Sequence, residues 1–589
     1  MKKIFAFSLG LFLFVFSFAA FAVDNSSPDY CRINKTWSES LPFSKPLEQM
    51  TQDERRKNLR LMGLFDQTEM VPMRDGVKLH TVIYRNPLLG KQPAIIIRTP
   101  YDMEAIETVA TLMTLSGYAA LIQHTRGRFG SEGEDLVFQT DGWGELQDGY
   151  DAVEWTAAQS WCDGNVGMWG HSAMGITASF ASGAVPPHLK CEVIGFAASK
   201  GYGQTAYQGG VLRQSLLEGW LNGNGSGHML PVFRAHPTDD DFWKLYDVEA
   251  RASVINTPAL FIGGFYDCFQ QGTLNAFTNR QIQGAPGAKG TQRLIIGPWT
   301  HTNQLNAKQG QLTYSIDSIF SSEVNDTLAW FDHWLKGKNN GADANPPIKY
   351  YLMGDASDAN APGNEWRQAD VWPPQSTPAS FYLHESGSLS LTPPASEETA
   401  LGFSCDPSSP VPTLGGANLE IPPGPYDQTP LESRPDVLVF TSSALSEPLE
   451  VVGEVRTQLY AEFNTADADL AVRLTDVYPD GHSMLVCDGI LRASFRESFA
   501  APQPLTPGEV YPLDIDLWST SLVFNQGHKI RLIISNSNSP RFEINPIYAQ
   551  TAPETPLTKI HFSPDRPSRL ILPVTSGIPN VSVREWEKY

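Results

Sequence analysis

Cysteine is scarce in this chain, with six residues in 589. None sits in a C-x-x-C spacing, so the usual structural zinc sites are excluded. Positive charge is also in deficit. Lys and Arg number 43 against 64 Asp and Glu, a net charge of -21. Such a surface repels a phosphate backbone, which argues against nucleic acid as a partner. Long apolar runs are missing after the first twenty or so residues, and a membrane span needs ~20 consecutive apolar positions. Internal repeats and low-complexity tracts are absent. What is present is a globular composition, 41% hydrophobic and 18% charged, in a chain long enough for two or three domains.

The single apolar run, residues 4–18, follows Lys2 and Lys3 and leads to Ala20-Phe21-Ala22, a small-x-small cleavage pattern. Residues 1–22 are therefore expected to be a signal peptide. The mature chain would start near Val23 and be exported, to a periplasm or to the medium, with no membrane attachment after cleavage. Cys31 lies too far past that site to carry a lipid. An even cysteine count in an exported protein permits disulfides. Cys162 and Cys191 each precede a candidate strand, and a Cys162–Cys191 bridge is the pairing expected.

The middle of the chain alternates strands with helices. Asp75-Gly76 between two apolar-alternating runs marks a hairpin. Runs at 94–98, 118–123, 166–169, 193–197, 259–263 and 294–297 read as strands buried on both faces. The segment 148–159 has helical spacing. This rhythm predicts a parallel sheet with right-handed crossovers. Ser172 stands in Gly170-His171-Ser172-Ala173-Met174-Gly175, between a strand and an apolar segment able to start a helix. That is the setting of a nucleophile elbow, where flanking residues must lack bulk. Asp267 and His301 each follow a later strand. Ligand sites of parallel sheets lie at the carboxyl ends of strands, so Ser172, Asp267 and His301 should share one edge. Their order along the chain is that of α/β-hydrolases. His171, His124 and His528 are rival histidines, and Cys268 is a rival nucleophile without an elbow.

Between residues 202 and 254 the strand rhythm stops, and 209–221 and 240–246 look helical, as in a cap over the site. An amphipathic segment at 327–337 closes the first domain. Beyond it, short strands at 438–441, 455–463, 469–477 and 529–535 between frequent turns suggest an antiparallel sandwich. The expected organisation is an α/β-hydrolase domain over 52–201 and 255–345, a helical cap at 202–254, and a β-sandwich at 346–589.

The ordered motifs resemble a known family. P-M-R-D-G at 72–76, T-P-Y at 99–101, R-G-R-F-G-S-E-G at 126–133, D-G-Y-D-A-V-E-W at 148–155, G-F-Y-D at 264–267 and G-P-W-T-H at 297–301 are similar to those of the X-prolyl dipeptidyl peptidase, cocaine esterase and α-amino-acid ester hydrolase family of serine hydrolases. L-T-D-V-Y-P-D-G at 474–481 and G-H-K-I-R-L at 527–532 resemble its C-terminal jelly roll. The resemblance implies that Ser172 is the nucleophile, His301 the base and Asp267 the orienting acid. It also implies that the Tyr101 phenol and the Ala173 N–H form the oxyanion hole. The family usually has tyrosine directly after the nucleophile; Ala173 departs from this and opens space in the pocket.

No cofactor and no metal is expected. The partner is a small-molecule ester or amide, and homo-oligomerisation is left open. Three functions compete: an exported carboxylic ester or amide hydrolase, an X-prolyl dipeptidyl peptidase, and a carbohydrate- or surface-binding protein whose sandwich does the binding. For the peptidase, Glu218 and Asp239 to Asp241 are the candidate acids for an N-terminal ammonium.

Overall fold

The computed structural model describes residues 65–103, 106–395, 399–549 and 555–577. The expected signal peptide and Cys31 lie outside these residues. Among the described residues no helix is long and apolar enough to cross a membrane.

The first half forms a ten-stranded sheet. Its strands are β1 (Phe65–Pro72), β2 (Lys78–Arg85), β3 (Gln92–Thr99), β4 (Ala119–His124), β5 (Cys162–His171), β6 (Leu189–Gly195), β7 (Ala259–Tyr266), β8 (Arg293–Thr300), β9 (Ile348–Leu352) and β10 (Glu365–Ala369). Their spatial order is 1-2-4-3-5-6-7-8-9-10. From β4 to β9 all neighbours are parallel, while β1, β2 and β10 pair antiparallel. This is an α/β-hydrolase sheet. Its central strands are buried along their length, as Ala94 to Ile97 and Leu294 to Ile296 show. That is why they read as apolar runs without alternation. Helices α1 (Glu107–Leu115), α2 (Asp148–Ala157) and α3 (Ala173–Gly183) make the early crossovers. The sheet runs on through β9 and β10, which follow residue 345 in the chain. Both are short, and β10 is an edge strand, so neither carries a long apolar run.

The motifs before the elbow are held together by ion pairs. Arg74 clasps Asp151 at 2.8 Å, and Arg126 bridges Asp75 at 2.7 Å and Asp148 at 2.6 Å. Arg98, fully buried on β3, pairs with Asp141. Thr140 also donates to Asp148. Buried charges persist only when paired and hydrogen-bonded, so each motif needs the next one in place.

Between β6 and β7 the chain leaves the sheet. It forms α4 (Gln214–Gly223), α5 (Leu230–Arg234) and 3₁₀ turns at Asp241–Tyr246 and Glu249–Val254. Gly209 and Gly210, expected inside a helix, instead take positive φ in a turn. A Cβ on Gly209 would lie 1.8 Å from the Ile490 carbonyl oxygen. The insertion is thereby packed against the C-terminal half.

That half contains β11 (Thr377–Leu383), β12 (Leu389–Ser390), β13 (Ala400–Ser404), β14 (Val437–Thr441), β15 (Leu449–Phe463), β16 (Asp469–Val477), β17 (Ser483–Arg492), β18 (Val510–Phe524), β19 (Lys529–Ser535), β20 (Leu557–Ser563) and β21 (Arg569–Ser576). One sheet has the order 12-11-21-15-20-13, with β18 also on β15; the other runs 14-19-16-17. Leu459, Leu470, Leu532 and Leu572 from both sheets join one buried core.

The expected Cys162–Cys191 bridge does not form, and both thiols are free and buried. Cys191 lies opposite Gly167 on β5, and Cys162 sits at the far start of that strand. At a strand rise of 3.3 Å per residue the offset is about 16 Å. A disulfide needs Cα atoms within about 7 Å.

Candidate active site

Ser172 caps α3 directly after β5, with φ 59° and ψ -128°. A non-glycine residue is strained there, and the neighbours hold it in place. Its N–H donates to the Gly195 carbonyl at 2.9 Å. A Cβ on Gly170 would lie 2.1 Å from the Met174 carbonyl, and one on Gly175 would lie 2.9 Å from the Gly195 oxygen. The G-x-S-x-x-G spacing is therefore what lets strand and helix close on each other.

Asp267 and His301 follow β7 and β8. Gly264 and Trp299 bring those strand ends close, since a Cβ on Gly264 would meet the Trp299 oxygen at 2.1 Å. His301 Nε2 lies 2.8 Å from Ser172 Oγ, and His301 Nδ1 lies 2.6 Å from Asp267 Oδ1. Asp267 is fully buried and His301 nearly so. The edges of Phe196 and Phe269 pack on the imidazole at 6.1 and 5.5 Å. Burial alone would push the His301 pKa down, but the Asp267 carboxylate hydrogen-bonded to Nδ1 outweighs it and raises it above 6.5. Cys268 Sγ stands 3.6 Å from Nδ1. Burial pushes this thiol up, so it stays protonated and a poor nucleophile. The donor atoms of Asp267, Cys268 and His301 lie within 4.8 Å of one another. A cation there would have to displace the Asp267–His301 hydrogen bond.

The rival histidines sit elsewhere. His171 is buried with Nε2 at 3.2 Å from Glu323. His124 stacks on His80 and Phe129. His528 pairs with Asp476 in the C-terminal half.

The Tyr101 phenol reaches Ser172 and accepts a hydrogen bond from Trp220 Nε1 at 2.9 Å. Burial raises its pKa, so it remains an O–H donor. Ala173 is the first residue of α3, and its N–H has no acceptor within the helix. Arg128 fixes this corner. Its guanidinium donates to the Pro100 carbonyl and to the Asn224 carbonyl beyond α4.

A cavity opens at Ser172 and Ala173. Its walls are apolar: Val137, Phe138 and Ile176 on the sheet side, and Leu216, Leu217 and Trp243 from the insertion. Leu419 from the C-terminal half completes the lining. Sequence reasoning missed Trp220, Arg213 and Leu419. Fully buried Arg213 donates to the carbonyls of Cys268 at 2.9 Å and Ala417 at 3.3 Å, tying the insertion to both the acid loop and the C-terminal half. Gln270 Nε2, three residues past Asp267, donates to the Ser519 carbonyl at 2.5 Å. No local pattern announces such contacts between distant segments.

Comparison with known proteins places this geometry. The X-Pro dipeptidyl-peptidase (S15 family) model matches residues 75–231 and 225–303, and the X-Pro dipeptidyl-peptidase C-terminal non-catalytic domain matches 340–571. Cocaine esterase of Rhodococcus sp. (strain MB1 Bresler) is 32% identical over 578 residues, covering 86% of this chain and 97% of that protein. The chain belongs to this family of serine hydrolases. Two solved structures share the fold of the S15-family hydrolase at lower identity. An aminopeptidase from a marine sediment Thaumarchaeota archaeon superposes with a TM-score of 0.77 at 23% identity, covering 91% of this chain and all of that one. An α-amino acid ester hydrolase gives 0.73 at 24%, covering 94% and 100%.

Proposed function

We propose that this S15-family hydrolase cleaves carboxylic esters with an apolar acyl group through an acyl-enzyme on Ser172. The observation that carries the reading is the Ser172–His301–Asp267 hydrogen-bonded relay at the mouth of an apolar cavity. Ser172 Oγ attacks the ester carbonyl and its proton passes to His301 Nε2. The oxyanion is held by the Tyr101 O–H and the Ala173 N–H. The C–O bond to the leaving group breaks, and that group takes the proton from Nε2. Water then attacks the acyl carbon and gives its proton to Nε2. The acid departs as Oγ regains the proton. Asp267 fixes the ring with Nε2 facing the serine and stabilises the imidazolium. The small Ala173 side chain leaves the acyl group room beside the nucleophile.

The dipeptidyl peptidase reading is favoured by the family's own name, but its candidate acids are engaged elsewhere. Glu218 pairs with Arg234 at 2.7 Å, Asp239 with Lys200 at 2.8 Å and Asp240 with His236 at 2.8 Å; Asp241 holds exposed Lys244. The domain bounds given above, with the insertion as cap and the C-terminal half as jelly roll, belong to the same proposal. So does export after cleavage before Val23, which N-terminal sequencing of protein from the periplasm or medium tests.

A panel of p-nitrophenyl esters from acetyl to benzoyl, beside Gly-Pro p-nitroanilide, tests the substrate. Ester rates that rise with acyl size are expected. Dominant cleavage of the anilide overturns the reading. Ser172→Ala should cost on the order of 10⁶ in kcat, and a serine-directed phosphonate should label only the peptide holding Ser172.

A further inference from the structure

We infer that Glu420, carried on the C-terminal half, is a specificity residue that draws the positively charged leaving group of an ester toward His301. The inference rests on the ester-hydrolase reading above and names its substrate class.

The segment before Glu420 is anchored at the site. Ala417 accepts from buried Arg213, Asn418 is buried and donates to the Gly415 carbonyl at 2.6 Å, and Leu419 lines the cavity that opens on Ser172. The next residue, Glu420, lies across α4 at Gly219. A Cβ there would meet Glu420 Cγ at 2.5 Å, Cβ at 3.0 Å and Cδ at 3.1 Å. Glycine at 219 thus makes the trough in which the acidic side chain rests. Adjacent Trp220 donates to the Tyr101 phenol that reaches Ser172. One turn of α4 therefore carries both the support of the oxyanion donor and the seat of Glu420.

The Glu420 carboxylate is within electrostatic reach of His301 and of the Tyr101 phenol. The residue is exposed to solvent, and among the described residues no hydrogen bond or ion pair holds its carboxylate. This separates it from Glu218 and the aspartates at 239–241, which have cationic partners. Glu420 is not itself part of the apolar lining, so the charge lies outside the acyl cavity. With the acyl group in that cavity, the alcohol, which takes its proton from His301, is the part of the substrate left to meet the carboxylate. An apolar wall beside an unpaired, solvent-accessible carboxylate suits an alcohol bearing an ammonium. Its charge would meet Glu420 while the acyl group fills the cavity.

The test compares butyrylcholine with its uncharged isostere, 3,3-dimethylbutyl butyrate. The quaternary ammonium keeps its charge at every pH, so the pair differs in charge alone. The full-length enzyme is expected to favour the cationic ester about tenfold in kcat/KM, a preference that shrinks with added salt. Glu420→Gln should bring the ratio near one, and Glu420→Lys should invert it. Both rates are read on one preparation, so misfolding scales them together and leaves the ratio intact. Equal turnover of the two esters by the wild-type enzyme overturns the inference, as does a preference that survives in Glu420→Gln. Failure of the ester-hydrolase reading looks different, because neither ester would then be cleaved.

Discussion

Tyr101→Phe removes one oxygen from the site and isolates what the phenol does. In the native arrangement that oxygen accepts from Trp220 Nε1 at 2.9 Å and lies within hydrogen-bonding reach of Ser172, leaving its own hydrogen free to serve an oxyanion. Accepting from the indole polarises the O–H and strengthens it as a donor. The other proposed oxyanion donor, the Ala173 N–H, is backbone and survives the change. Loss of one donor of two from such a site costs ~2.7–4 kcal/mol in the transition state. At about 1.4 kcal/mol per decade this is ~10²–10³ in kcat. The carbonyl gains its negative charge only on the way to the tetrahedral state, so KM should shift by less than about threefold. Steady-state hydrolysis of p-nitrophenyl butyrate measures both constants, and circular dichroism confirms the fold. Trp220→Phe removes only the polarising N–H and should cost less, roughly tenfold or below. A Tyr101→Phe enzyme whose kcat stays within about threefold of wild type would refute the assignment of the phenol to the oxyanion hole.

Three further outcomes are expected. His301 must be neutral to accept the serine proton, and its pKa is raised, so kcat/KM should climb with pH through an inflection above 6.5. Asp267→Asn removes the stabilising charge, moving that inflection to lower pH while kcat falls ~10⁴-fold; an unmoved inflection contradicts the coupling. Gly170→Ala drives a methyl into the Met174 carbonyl and should destabilise by ~3 kcal/mol or more, read as a lower melting temperature. Gly203→Ala, with nothing within 4 Å of the added carbon, is the matched control and should melt near wild type. Alkylation of the denatured, unreduced protein should modify both Cys162 and Cys191, and a peptide pair still linked through them contradicts the strand register.

The hydrolase sheet was legible because buried parallel strands leave uninterrupted apolar runs, and each functional loop follows such a run. Expected strands at 469–477 and 529–535 coincide with Asp469–Val477 and Lys529–Ser535. Ser172, Asp267 and His301 were legible as strand-end residues in hydrolase order, and the structure brings them within hydrogen-bonding distance. The disulfide was misread because a sequence shows that two strands are neighbours without showing their offset. The helix expected from Gly209 starts instead at Gln214, because paired glycines turn the chain where the insertion touches Ile490. Trp220, Arg213 and Glu420 escaped notice for a common reason. Their partners are far away in the chain, and nothing in their immediate neighbours depends on those partners.

The bonds from Arg213 to Ala417 and from Gln270 to Ser519 bear on how such an enzyme can diversify. Because the C-terminal half supplies a wall of the cavity as well as ballast, selection can retune the substrate from a loop that touches none of the reacting atoms. The chemistry and the choice of alcohol are encoded in separate stretches of the gene, and either can drift while the other stays fixed.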